Sequence, residues 1–198
     1  GEHKGWHAAL EAGDAGEIDR LIRQFWLERD PTPTTPGNER LIEHWQRIAH
    51  ARKNYRKNIR MPYLCDDRGT IYVRFGEPDR QKSGRMGSNQ TELLRLIPDF
   101  SAREEIRRYD ENPEFEIWVY DDLDPTRSIF FLFGNENGKG QFKLLNGVEE
   151  LISTNANSVS SERSTGIRAA YYLQMVYYNE LRMMDSFFES RYNDMDYE

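Results

Sequence analysis

The chain has 198 residues, 37% hydrophobic, 13% aromatic and 31% charged, with a formal net charge of -7. That composition excludes a disordered chain and suffices for one domain with a helical appendage. No apolar run approaches the roughly 18 residues a membrane-spanning helix needs, and Cys65 stands alone, which excludes an internal disulfide and fits a reducing compartment or a thiol-avoiding periplasmic protein.

Residues 3–12 can form a short helix with Trp6, Ala9 and Leu10 on one side. Asp14 and Glu17 have capping-box spacing and open a helix over 15–28, with Ile18, Leu21, Ile22, Phe25 and Trp26 in one apolar stripe. Pro31, Pro33 and Pro36 make a stiff linker. Thr35 is a fair N-cap with Pro36 at the first helical position, so a second helix is expected over 37–58. Its stripe is Leu41, Ile42, Trp45, Ile48, Ala49 and Tyr55. The two helices form a hairpin or pack on a common sheet.

The stretch from Asp66 to Asp79 reads as the organising strand. Ile71, Val73 and Phe75 alternate with Thr70, Tyr72 and Arg74, a period of two with β-branched and aromatic residues. Asp67-Arg68-Gly69 and Gly76-Glu77-Pro78-Asp79 supply turn chemistry on either side. A basic loop follows from Arg80 to Asn89. Short helices are expected over 90–97 and, from the capping box of Ser101 and Glu104, over 101–109. Strands are expected at 115–120, 128–133 and 141–145, joined by hairpin-length turns that include Asn137-Gly138. Residues 153–165 read as a linker and 165–192 as one helix. The expected fold class is α+β: an antiparallel four-stranded sheet, using 70–75 as one strand, covered on one face by the helices at 15–28 and 37–58, with a C-terminal helix. The chain divides into an N-terminal helical segment and Pro-rich linker (1–36), an α+β domain (37–152), and a linker with the C-terminal helix (153–198).

Chemical signals are sparse. Asp66, Asp67, Glu77 and Asp79 flank one element, where carboxylates can do acid/base work or bind a hard cation. They can equally accept local backbone N–H groups in turns. A six-residue strand would hold the two pairs about 20 Å apart. All four histidines lie in the first fifty residues; His3 and His7 stand four apart, but Gly5 weakens that helix and no acidic or Cys partner follows at metal-ligand spacing, so no metal or other cofactor is expected. There is no Gly-x-Ser-x-Gly and no histidine after Cys65 to activate it. Gly134 to Gly140 is glycine-rich but lacks the Lys-Ser/Thr end of a phosphate loop. Between His44 and Cys65 no acidic residue occurs, while Arg47, Arg52, Lys53, Arg56, Lys57 and Arg60 do. Arg52, Lys53, Arg56, Lys57 and Arg60 are therefore candidates for contact with an anion or partner, against the alternative of a solvated helix end. The acidic chain as a whole argues against nucleic acid. In the C-terminal helix, Leu173, Val176, Tyr177, Leu181, Met184 and Phe188 make one stripe. Tyr171, Met175 and Tyr178 widen it, so Tyr171, Met175, Tyr178 and Met183 are candidates for an interface, unless the whole helix is buried.

Phe25 to Thr32, the helix with Asn38-Glu39, Asp67 to Val73, Gly76 to Asp79 and Phe115 to Tyr120 occur in an order that resembles the bacterial GWxTD-domain family. The resemblance covers about residues 20–145. At the naming motif the chain has Tyr63-Leu64-Cys65-Asp66-Asp67, retaining only Asp67. The resemblance implies structural roles for Asp67, Gly69, Tyr72, Gly76, Pro78 and Asp79. It also implies an exported, periplasmic or extracellular bacterial protein with no established catalytic activity, with the cytoplasm left open. The leading expectation is a non-catalytic protein-interaction module, an accessory or structural subunit that binds a protein partner or itself. The alternative is a hydrolase acting on an anionic substrate through Asp66, Asp67 or Asp79.

Overall fold

A computed structural model describes residues 2–87, 95, 97, 100–135, 140–152 and 164–196. The helix expected at 90–97, the linker at 153–165 and the tip of the 135–140 turn fall largely or wholly outside these residues. The N-terminal helices are α1 (Glu2–Ala12), α2 (Ala15–Leu27) and α3 (Glu39–Asn54). Asp14 caps α2 as its spacing requires, Oδ1 accepting from Glu17 N at 3.0 Å. The α3 cap is Asn38 and not Thr35. Asn38 Oδ1 accepts from Leu41 N at 2.8 Å while its Nδ2 donates to Trp26 O at 2.6 Å, so one side chain starts α3 and ties it to the end of α2. α3 ends at Asn54, short of residue 58, where Tyr55 turns extended.

The stretch read as the organising strand is a helix, α4 (Asp67–Phe75). Its alternation has a physical origin: α4 is wedged between two cores. Ile71 packs with Trp118 and Phe133 beneath, and Val73 with Ile48, Ala51 and Cys65 above. A short helix buried on more than one side has no single 3.6-residue stripe. The place of that strand is taken by β1 (Arg80–Arg85), whose residues are nearly all exposed. The sheet runs β1, β2 (Glu114–Tyr120), β3 (Ile129–Asn135), β4 (Lys143–Leu145), every neighbouring pair antiparallel.

The register sorts the sheet residues. Trp118 pairs with Phe131 and Glu116 with Phe133, so Glu116, Trp118 and Tyr120 share the face under α4. Phe115, Ile117, Val119 and Leu132 point the other way. There they meet α5 (Phe100–Tyr109), the 3-10 turn Val148–Leu151, α6 (Ser164–Leu181) and α7 (Ser186–Asp196). The helix expected over 165–192 is thus two, broken at Arg182–Asp185, where Asp185 Oδ1 accepts from Phe187 N at 2.9 Å. The fold is α+β, with an antiparallel four-stranded sheet, helices of the N-terminal half over one face and a C-terminal helix over the other. The larger core runs across the 152/153 boundary, since Ile152, Ala170, Leu173 and Phe188 belong to one cluster. Among the N-terminal helices, α4 touches the sheet, α3 lies on α4, and α2 buries no residue fully.

Candidate functional site

Within the 66–79 stretch, Asp66, Asp67, Arg68, Gly69, Tyr72, Gly76 and Asp79 hold the fold together. Asp66 is fully buried, and its carboxylate accepts from Arg68 Nε at 3.2 Å and Nη2 at 2.8 Å. Arg68 Nη1 reaches Glu116 Oε2 at 2.8 Å, and Trp118 Nε1 donates to Glu116 Oε1 at 2.7 Å. The Arg68 guanidinium lies 3.9 Å from the centroid of Phe142. Burial works against the Arg68 charge, but the Asp66 and Glu116 carboxylates outweigh it and hold the guanidinium above its usual value. The same burial pushes the Tyr55 hydroxyl, 5.3 Å away at its ring, well above the usual range. Asp67 Oδ2 accepts from Leu144 N at 2.8 Å, fastening the start of α4 to β4. Gly69 is required because a Cβ there would collide with Cys65 Sγ.

At the other end of α4, Gly76 caps the helix at φ 86, a conformation open to glycine, and its carbonyl accepts from Tyr120 Oη at 2.8 Å. Tyr72 stacks on His50 with ring centroids 4.2 Å apart. Pro78 is half-buried in the turn. Asp79 donates its N–H to Val119 O at 3.0 Å and its Oδ2 accepts from Asp121 N at 2.8 Å. Asp121 is itself held by Arg80 at 2.7 Å and by Ser128 at 2.6 Å, and these bonds take its carboxyl down to about 2. Asp66, Asp67 and Asp79 therefore do not converge. The nine residues of α4 separate the pair from Asp79 by roughly 13 Å at 1.5 Å per residue, and carboxylate pairs in hydrolysis work across about 5–10 Å. Among the described residues, no group of three or more His, Cys, Asp or Glu side chains is placed to hold a metal ion.

The cationic run splits in two. Arg56 belongs to the fold: it donates to the Gly140 carbonyl, pairs with Glu114 Oε2 at 3.4 Å and lies over Phe142. Arg52 donates to Tyr63 O at 3.2 Å but keeps its side chain at the surface, and Lys53, Lys57 and Arg60 are exposed. The C-terminal residues split likewise. Met175 and Tyr178 lie in the core between sheet and helices, and Tyr178 Oη donates to Glu149 Oε1 at 2.6 Å, so neither offers a surface to a partner. They are buried because α6 is covered by the sheet, α5 and α7 together, which absorbs the broad apolar arc. Tyr171 is half-buried and donates to Met195 O at 2.6 Å. Met183, in the break between α6 and α7, is 84% exposed.

The surface that sequence reasoning missed is at the other end of the chain. Ile22 (44% exposed) and Phe25 (36%) on α2, with Ile42 (51%) and Trp45 (59%) on α3, are large apolar side chains open to water. They flank a continuous series of rings. Phe25 contacts Trp26 at 5.1 Å, Trp26 contacts His44 at 5.1 Å, and His44 contacts both Trp45 at 6.3 Å and Tyr63 at 6.0 Å. Burial, with the charges of Arg40 and Arg47, pushes His44 below its ordinary value, so at neutral pH it serves as an uncharged ring. The signal was in the sequence as two stripes, each assigned to a core. The α2 stripe is only partly covered: Leu21, Ile18 and Trp26 are half-buried, and Ile22 and Phe25 face water.

No family model matches the chain, and neither a curated protein nor a solved structure is similar to it.

Proposed function

We propose that this chain is a non-catalytic protein-interaction module, and that its contact surface is the exposed aromatic and aliphatic face formed by α2 and the first half of α3. One observation supports the reading above the others: Ile22, Phe25, Ile42 and Trp45 stay open to water around a connected set of rings, on helices that contribute little to the core. Grouped exposed apolar side chains of this size mark interaction sites, and tryptophan and tyrosine carry much of the energy at interfaces. The second support is that Asp66, Asp67 and Asp79 each accept from a backbone N–H or an arginine, which weighs against the hydrolase reading built on them. The resemblance to GWxTD-domain proteins extends the proposal to an accessory or structural subunit of an extracytoplasmic bacterial assembly.

Affinity capture from the native lysate tests it, with the stoichiometry of the recovered complex read by native mass spectrometry. The wild-type chain recovers itself or a protein partner in fixed stoichiometry, and Trp45→Ser loses that partner while its circular dichroism is unchanged. Equal recovery by Trp45→Ser would remove the basis of the proposal.

A further inference from the structure

The loop between α3 and α4 is a surface of a different kind from the α2–α3 face. Asn58 N donates to Leu64 O at 3.1 Å, Met61 N to Asn58 O at 3.2 Å and Leu64 N to Met61 O at 3.0 Å, which folds residues 58–64 into successive tight turns. At their base Lys57 and Cys65 form a bridge, and Asp66 N donates to Arg56 O at 2.8 Å. Asn58 Nδ2 donates to Gln141 Oε1 at 2.7 Å and Gln141 Nε2 to Lys57 O at 2.9 Å, so the base is braced on the segment that leads into β4. The loop is thus held in one shape before it meets a partner, which lowers the ordering cost of binding. Its tip is apolar. Ile59 is 74% exposed, more than any other large apolar side chain among the described residues except Met183. Leu64, also exposed, is held at φ 62, uncommon for a residue other than glycine.

The exposed charges of this segment are of one sign. No acidic residue occurs between His44 and Cys65, in a chain whose net charge is -7. Lys53 in the last turn of α3, Lys57 and Arg60 are exposed and pair with no carboxylate among the described residues. The acids that adjoin the loop are engaged elsewhere: Asp66 by Arg68, Asp67 by Leu144 N and Glu114 by Arg56. A protruding aliphatic tip beside unpaired cations suits an anionic lipid surface. The apolar side chain enters the headgroup boundary while the cations stay at the phosphates. Lysine is a point charge on a flexible stem, so it reads charge density and needs no fixed geometry of acceptors. A protein partner favours grouped aromatic side chains instead, which α2 and α3 offer and this loop does not. Contact of this sort lies on a bilayer and requires no spanning helix; no helix among the described residues is long and apolar enough to cross a membrane.

We infer that the 57–64 loop docks the protein on a membrane surface rich in anionic phospholipid, with Ile59 inserted at the headgroup boundary and Lys53, Lys57 and Arg60 on the phosphates. Flotation of the full chain tests it, with vesicles of phosphatidylcholine containing about 30% phosphatidylglycerol against vesicles of phosphatidylcholine alone. The wild type floats with the anionic vesicles only, and raising the salt from about 0.1 to about 0.5 M releases it. Lys53→Gln and Lys57→Gln each weaken partitioning by about fivefold. Ile59→Ser weakens it by about tenfold, with unchanged circular dichroism because the side chain is already open to water. Tryptophan placed at this position by Ile59→Trp gains emission that brominated acyl chains quench in the anionic vesicles. Trp45→Ser, on the α2–α3 face, floats as the wild type does. A wild-type chain that stays off the anionic vesicles overturns the inference. So does equal flotation by Ile59→Ser, which would leave a contact made by charge alone, the pattern expected of an acidic protein ligand. Loss of flotation in Trp45→Ser with Ile59→Ser unaffected would move the membrane contact to the other face and overturn it as well. None of these outcomes bears on protein capture through Trp45.

Discussion

Replacing Arg68 with Met tests the reading of the 66–79 stretch as structural. Arg68 makes two bonds to Asp66 and one to Glu116, and its side chain is 11% exposed beside an Asp66 that is 0% exposed. Methionine keeps an unbranched apolar side chain but leaves Asp66, among the described residues, with the Phe142 N–H at 3.3 Å. Removing one partner of a buried pair costs about 3–5 kcal/mol, because the remaining charge is uncompensated. Loss of the guanidinium over Phe142 adds about 0.5–2 kcal/mol. Against a total stability of about 5–15 kcal/mol, this is a large fraction. Urea unfolding followed by tryptophan emission reads it directly, since Trp118 lies in the same cluster. With a slope near 2 kcal/mol per molar urea, the combined loss lowers the midpoint by roughly 1.75–3.5 M. The combination Arg68→Met with Asp66→Asn and Glu116→Gln removes the unpaired charges and recovers part of the loss. A single-variant loss below about 1 kcal/mol, or a triple variant less stable than the single, refutes the argument from buried unpaired charge.

Gly69→Ala destabilises by more than about 2 kcal/mol, because its Cβ meets Cys65 Sγ, and pairing it with Cys65→Ala recovers part of that loss in a double-mutant cycle of urea midpoints. Asp110 holds its carboxyl above the ordinary value through burial, despite bonds from Asn112 N and Tyr177 Oη, each at 2.9 Å. A raised carboxyl favours folding in its protonated form, so this contribution is fully present below the unfolded value and is lost as pH rises through the folded one. The stability of the wild type relative to Asp110→Asn therefore increases on acidification from about pH 7 to pH 4, as read by paired urea titrations. Asp121 has the opposite sign. Its carboxyl sits at about 2, so its contribution is present above the unfolded value and is lost only as pH falls through about 2. Arg80→Gln moves the Asp121 titration, followed by carboxylate carbon NMR, back toward the ordinary range.

The legible parts of the sequence were those with one buried face. α2 was placed from the Asp14 cap and a 3.6-residue stripe, and β2 from the alternation of Phe115, Ile117 and Val119. α4 was misread because Ile71 and Val73 face different cores and Gly69 looks like a turn when it is a point of close approach to Cys65. β1 was invisible for the converse reason. Arg-Gln-Lys-Ser-Gly-Arg carries no apolar alternation, and it is held by its ladder to β2 and by ion pairs of Arg80 with Asp121 and Lys82 with Glu180. The site followed the same logic in reverse. The broad apolar arc of α6 pointed to an interface, but α5, α7 and the sheet enclose it, burying Met175 and Tyr178. The stripes of α2 and α3 pointed to a core, but of them only Ile48 is buried in one, with Tyr55 packed at its edge. Sequence periodicity reports that a face is apolar; it carries no information on whether the chain itself supplies the cover.

Hydrogen–deuterium exchange on the recovered complex, compared with the free Trp45→Ser chain, addresses the proposed interaction surface most directly. The account predicts protection on assembly confined to residues 18–29 and 39–47, with residues 52–60 and 171–183 unchanged. Protection centred on Lys53, Lys57 and Arg60, or on Tyr171 and Met183, with α2 exchanging at the same rate in both states, would contradict it.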